Sequence, residues 1–288
     1  MNSNIENSIA VFDSGIGGIS VLNRLIELMP YENFVYYADS ANFPYGKKSQ
    51  KELTKIGKRI IAKFYRRKSK VVVIACNTMS TSDMSSFNSA FPQLKIIGTF
   101  PDLVHILKPN LVLSENSISY DKENRLKISN NKKKLLVIAT TATCQSDYLA
   151  DTMSFVEDFI DVYVEPADFI VKAVENGRLD SYDFRNDLKY FFKEYMDVDM
   201  LWLGCTHFPF AENAIREILG DEVHITSSCE ISANNCYEYL SKNNLIEKNL
   251  IPYIKVVDIN LNQEKEALYS KLILNNGGIH NMEFSKSI

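Results

Sequence analysis

Val71-Val72-Val73-Ile74-Ala75-Cys76-Asn77-Thr78 runs from a β-branched apolar stretch through one small residue to a cysteine and a polar pair. Met200-Leu201-Trp202-Leu203-Gly204-Cys205-Thr206-His207 repeats that order later in the chain. A short run that is apolar at every position marks a parallel strand buried on both faces. Ile9 to Phe12 and Leu135 to Ala139 precede the two runs at nearly the same offset. The pattern is two similar α/β halves, each with a cysteine at the carboxyl end of a strand. Ligands of open α/β sheets bind outside those ends. Two halves facing each other bring both cysteines to one cleft.

The flanking sequence keeps the rhythm. Ile19, Leu22, Leu25, Ile26 and Met29 recur at helical spacing until Pro30, and Phe34 to Ala38 predicts the next strand. Glu52 to Arg67 predicts a helix with Ile56, Ile60 and Phe64 on one face, and Ile96-Ile97 begins a short strand. Beyond Leu135 the strands are Asp161 to Val164, Met200 to Leu203 and Glu222 to Ile225. The helices there begin at Tyr148, Ala167, Phe184, Phe210 and Ile231. Strands alternating with helices imply parallel sheets covered on both faces. The polar segment Lys108 to Lys134 interrupts this, and its alternations Ile118/Tyr120 and Leu126/Ile128 predict a surface hairpin. The tail is weakly patterned, with an edge strand expected over Val256 to Ile259.

Composition bounds the function. The chain has 288 residues, 45% hydrophobic and 24% charged, which is ordinary for a globular protein and excludes wholesale disorder. Lys+Arg is 32 against Asp+Glu 36, a formal charge of -4. A dedicated nucleic-acid binder carries a basic excess, and the short clusters Lys47-Lys48, Arg66-Arg67-Lys68 and Lys132-Lys133-Lys134 read as solvated faces. No apolar run approaches a membrane span, and Met1 to Ser8 has no basic signal-peptide start, so the cytoplasm is the expected compartment. There are 5 cysteines and no CxxC, which argues for free thiols in a reducing compartment.

Competing motifs fail at particular positions. Gly15-Ile16-Gly17 between strand and helix starts like a dinucleotide fingerprint, and Asp39 ends the next strand. The third glycine position is Ser20, however, and the Asp13 carboxylate would repel a pyrophosphate on the helix N-terminus. The turn can instead aim N–H groups at a carboxylate. Gly46-Lys47-Lys48-Ser49 lacks the spacing of a phosphate loop, and Cys205 with His207 lacks paired ligands for zinc. No metal or cofactor is expected.

A lone cysteine after a buried strand is usually a small core hydrophobe. Duplication weakens that reading here. Ala75 and Gly204 allow close approach, and Asn77-Thr78 and Thr206-His207 can orient a ligand. Two thiols on opposite faces of one carbon could remove a proton and deliver another, inverting a stereocentre.

Four blocks in order carry a resemblance: Val11-Phe12-Asp13-Ser14-Gly15-Ile16-Gly17-Gly18; Tyr37-Ala38-Asp39-Ser40 with Pro44-Tyr45-Gly46; Ala75-Cys76-Asn77-Thr78; and Leu203-Gly204-Cys205-Thr206-His207-Phe208-Pro209. Together they resemble glutamate racemases, over roughly residues 9–220. The His after Cys205-Thr206 is similar to glutamate rather than aspartate racemases, which tend to carry Glu there. The resemblance implies a cofactor-independent isomerase of two pseudo-symmetric, doubly wound α/β domains. One would combine residues 1–99 with 211–288, and the other would span 100–210 with an insertion over 108–134.

The resemblance also assigns roles. Cys76 would deprotonate D-glutamate and Cys205 L-glutamate, assisted by Asp13 and His207. Ser14, Pro44, Tyr45, Gly46, Asn77, Thr78, Thr140, Thr143 and Thr206 would hold the substrate, and Glu175 would match a glutamate near the cleft. The family supplies D-glutamate for peptidoglycan synthesis, and a homodimer is expected. Alternatives are a racemase of aspartate or hydantoins and a second role in inhibiting DNA gyrase, as some glutamate racemases do. The chain departs from the family at Thr99-Phe100-Pro101-Asp102, at Ala139 and at Ser227.

Overall fold

The structure, a computed structural model, describes residues 6–100, 118–120, 126–128, 132–157, 160–274 and 279–287. β1 (Ile9–Asp13) passes through α1 (Ile19–Leu28) to β2 (Phe34–Ala38). α2 (Gln50–Arg66) leads to β3 (Val71–Ile74), and α3 (Asn77–Ala90) to β4 (Lys95–Gly98). A hairpin of β5 (Ile118–Tyr120) and β6 (Leu126–Ile128) follows, antiparallel as expected. The rest of the expected insertion up to residue 131 lies outside the described residues.

The second half begins at β7 (Lys134–Ala139), followed by α4 (Thr141–Cys144), α5 (Asp147–Ser154) and β8 (Asp161–Pro166). α6 (Asp168–Glu175) and α7 (Tyr182–Phe192) lead to β9 (Met200–Leu203), and α8 (Glu212–Leu219) to β10 (His224–Ser227). α9 (Ser228–Lys242) returns to the first sheet, which β11 (Tyr253–Asp258), α10 (Gln263–Leu272) and β12 (Asn281–Ser285) complete.

Both large sheets are parallel throughout. The first runs β12-β11-β2-β1-β3-β4 and the second β10-β9-β7-β8. The duplication is visible in this order: β2-β1-β3-β4 and β8-β7-β9-β10 are the same four-strand arrangement. It also moves the expected break at residue 211. β10 is the counterpart of β4 and pairs with β9, His224 against Met200, so the second sheet extends to Ser227.

The tail is the other correction. The strand expected at an edge over Val256 to Ile259 spans Tyr253–Asp258 and lies between β2 and β12. Its Ile254, Val256 and Val257 are fully buried, whereas Lys255 between them blurs the apolar run in the sequence.

Strand alternation divides the core. In β1, Ile9 and Val11 face a cluster shared with Leu136, Ile138, Leu201 and Leu203 of the second sheet. Ala10 and Phe12 face Leu53, Ile60 and Phe64 of α2 on the outer side. Burying each such large side chain contributes about 1.5–3 kcal/mol. α2 starts cleanly because Ser49 and Glu52 form a reciprocal capping box. Among the described residues no helix is long and apolar enough to cross a membrane.

Candidate active site

β1, β3 and β9 each deliver one polar side chain at the carboxyl end: Asp13 closes β1, Cys76 follows β3 and Cys205 follows β9. One small cavity of about 40 Å³, partly open to solvent, has both cysteines in its wall. The remaining walls come from both halves. Ser14, the Pro44-Tyr45-Gly46 turn, Asn77 and Thr78 belong to the first, and Thr140, Thr143, Thr206 and His207 to the second. Cys76 is 7% and Cys205 9% exposed, so each thiol is screened from bulk water yet reaches the cleft.

Different acid–base groups back the two thiols. On the Cys76 side, Asp13 is fully buried. Its Oδ1 accepts from the Ser14 N–H at 2.7 Å and its Oδ2 from the Gly18 N–H at 2.7 Å. The Thr206 hydroxyl donates to the same Oδ2 across the cleft at 3.2 Å. Burial raises the Asp13 carboxyl above its ordinary range, opposed by His207. Burial, then the neighbouring Asp13 charge, push the Cys76 thiol well up, so it rests protonated.

On the other side a relay runs from Cys205 Sγ to His207 Nδ1 at 3.6 Å, and from His207 Nε2 to Glu175 Oε1 at 2.8 Å. Burial works against a charged imidazole, but the hydrogen bonds to Cys205 and Glu175 outweigh it and hold His207 well above its ordinary value. The Ile16 N–H donates to Glu175 Oε1 at 2.8 Å.

The glycine-rich turn therefore cradles anions, and they are the protein's own carboxylates, Asp13 and Glu175. Its glycines leave the room. A Cβ on Gly15 would sit 1.9 Å from Glu175 Oε1, and one on Gly17 would sit 2.3 Å from His207 Nδ1. Asp39 is likewise engaged at home. It accepts from the Tyr45 hydroxyl at 2.9 Å and from Asn42 Nδ2 at 2.9 Å, which ties down the turn that lines the cleft.

The comparisons with known proteins agree in direction. No family model matches the sequence. Over 84% of its length, and 84% of the relative's, the chain is 32% identical to a glutamate racemase of Thermoanaerobacter pseudethanolicus. It belongs to the glutamate racemase family. A glutamate racemase of Clostridium perfringens is 31% identical over 85% of the chain and 88% of its own length. The fold matches a crystal structure of the Francisella tularensis glutamate racemase in complex with D-glutamate, with a TM-score of 0.74 at 23% identity. That likeness covers 99% of this chain and 98% of the other.

Of the residues that the glutamate racemase motifs single out, all but one line the cavity. Glu175 stands behind His207 and touches the cleft only through it. Phe43, Val171 and Gly204 also line the wall. Phe43 directly precedes the Pro44-Tyr45-Gly46 block, and its ring lies 6.5 Å from the His207 ring. Val171 sits one helical turn before Glu175 on α6, so the same face presents both. Gly204 passes the Ile138 carbonyl so closely that a Cβ would come within 2.8 Å of it.

Proposed function

We propose that this member of the family interconverts L- and D-glutamate by two-base proton transfer at Cα, without a cofactor. The observation that carries the reading is that thiols from two duplicated strand ends open into one cleft, each with its own acid–base group behind it. Cys205 takes the Cα proton of L-glutamate, and His207, held by Glu175, exchanges protons with that thiol. Charge then develops on Cα and spreads into the adjacent carboxylate. The Cys76 thiol delivers its proton to the opposite face and gives D-glutamate. The reverse reaction exchanges the two roles.

Neutral donors offset the developing charge. Hydroxyls of Ser14, Thr78, Thr140 and Thr143 surround the cavity, and a preorganised donor in a water-poor site is worth far more than in water. Asn77 donates through Nδ2 to Ser228 at 3.2 Å, while its buried Oδ1 has no partner among the described residues. We assign that oxygen to the substrate ammonium. The Thr78 and Thr143 hydroxyls, one from each half, lie 3.5 Å apart in the cavity wall.

The product D-glutamate would supply peptidoglycan synthesis in the cytoplasm, and the working form would be a homodimer, as the family resemblance implies. The test is circular dichroism of L- and D-glutamate incubated with dialysed protein and no added cofactor. Both solutions should relax to the same optically inactive mixture. Aspartate or a hydantoin turning over faster than glutamate would overturn the substrate assignment.

A further inference from the structure

The charge of -4 conceals an uneven distribution. Residues 47–70 hold eleven of the chain's 32 cations and a single acid, Glu52, whose carboxylate is occupied in capping its own helix. In sequence these cations look like short separate runs. In the structure most of them lie along α2.

The helix period sets the arrangement. Lys51, Lys55, Lys58, Arg59, Lys63 and Arg66 recur at spacings of three, four or seven residues, which places them on one arc of the helix surface. Leu53, Ile60, Ile61 and Phe64 occupy the opposite arc and are buried against the first sheet. From Lys51 to Arg66 the stripe is about 22 Å long, at 1.5 Å rise per residue.

Little neutralises it. Lys51, Lys55, Lys58 and Arg66 have no ion pair among the described residues, and Arg59 reaches Asp39 only at 4.0 Å. Burial and repulsion from Arg59, Arg66 and Arg67 pull the Lys63 ammonium below its ordinary value, with Asp39 opposing. Grooves flank the helix. Lys51, Lys55 and Lys58 line one with Asp83, and Lys63, Arg66, Arg67 and Lys286 line another with Tyr37.

We infer that the exposed face of α2 is a docking surface for the phosphate backbone of double-stranded nucleic acid, read without base contacts. Three features choose this partner. The cations form a line on a convex helix rather than converging on one point, which suits an extended polyanion better than a small one. A membrane-surface helix would carry exposed large apolar side chains beside its cations. Here Leu53, Ile60 and Phe64 point inward, and the exposed Tyr65 packs on Phe91 and donates to Gln93. That engagement also removes the stacking platform that single strands require. Alongside a duplex the stripe faces about 13 phosphate charges, at one per roughly 1.7 Å of axis.

The test is fluorescence anisotropy of a labelled DNA duplex of arbitrary sequence with the full-length protein. Neutralising about four phosphates predicts an affinity loss of about 150-fold between 50 and 200 mM salt. The variant Lys51→Ala/Lys55→Ala/Lys58→Ala/Arg66→Ala should lose affinity at least about tenfold at the lower salt and flatten the salt slope. Its racemase activity and melting temperature should stay at wild-type level. The control Lys172→Ala/Lys189→Ala/Lys193→Ala/Lys242→Ala removes equal charge elsewhere and should bind like wild type. Equal losses in both variants, or none in the first, overturn the inference. Binding to vesicles containing phosphatidylglycerol with none to DNA overturns it in favour of a membrane surface.

Discussion

His207 shows how neighbours fix a residue's chemistry. With Cys205 on one ring nitrogen and Glu175 on the other, its proton is held more tightly in the folded than in the unfolded chain. A raised folded value contributes stability that is fully present below the ordinary histidine range, near pH 6.5. That contribution is lost as pH rises through the folded value. Urea midpoints of wild type and His207→Gln, measured from pH 6 to 10, should therefore converge as pH rises. A gap that widens with pH would contradict the account. In turnover, Glu175→Gln should keep KM within about threefold and lower kcat by about tenfold or more, some 1.4 kcal/mol of barrier. A change confined to KM would make Glu175 a substrate contact instead. The sequence displays Cys76, Asp13 and His207 because they lie in contiguous blocks. Glu175 comes from the family resemblance alone, because an acid near a helix end looks like any solvated residue until Ile16 and His207 are seen to converge on it.

The turn after β1 is the element that joins the two halves. Gly15 and Gly17 are empty of side chain where Glu175 and His207 pass. Gly17→Ala should misplace the imidazole and lower kcat about 100-fold, the scale of a 1 Å displacement. Activity near wild type would show that the ring can move away harmlessly. Ser49→Ala removes half of the capping box of α2 and should cost about 1 kcal/mol in chemical denaturation, with racemisation unchanged. Elements with strong apolar periodicity, such as α1 and α2, were legible. α3 was not, because Asn77 to Ala90 is rich in Ser, Thr and Asn and its backbone leaves the helical region at Asp83. Its first turn nevertheless holds Asn77 and Thr78 in the cleft.

At the scale of the molecule, one shared apolar cluster joins the inner faces of both sheets. That continuity predicts a single cooperative transition. Trp202, the chain's one tryptophan, is fully buried on the outer side of the second sheet and reports on that half alone. Its fluorescence and the far-ultraviolet circular dichroism should lose native signal at the same denaturant concentration. Tryptophan emission that shifts first would show the halves unfolding separately. The duplication was readable because both strand–cysteine runs keep the same order of residue types. The division of the chain was less so, since β10 joins the second sheet through backbone pairing that its mixed sequence His224-Ile225-Thr226-Ser227 does not advertise.

The proposed proton transfer between two thiols predicts a particular isotope pattern. L-glutamate should be racemised in deuterium oxide and both enantiomers examined by mass spectrometry at low conversion. The D-glutamate formed should carry one deuterium at Cα, while the remaining L-glutamate keeps its protium. Deuterium appearing equally in both enantiomers from the outset, or D-glutamate that retains the original proton, would mean one base serves both faces and would contradict the account.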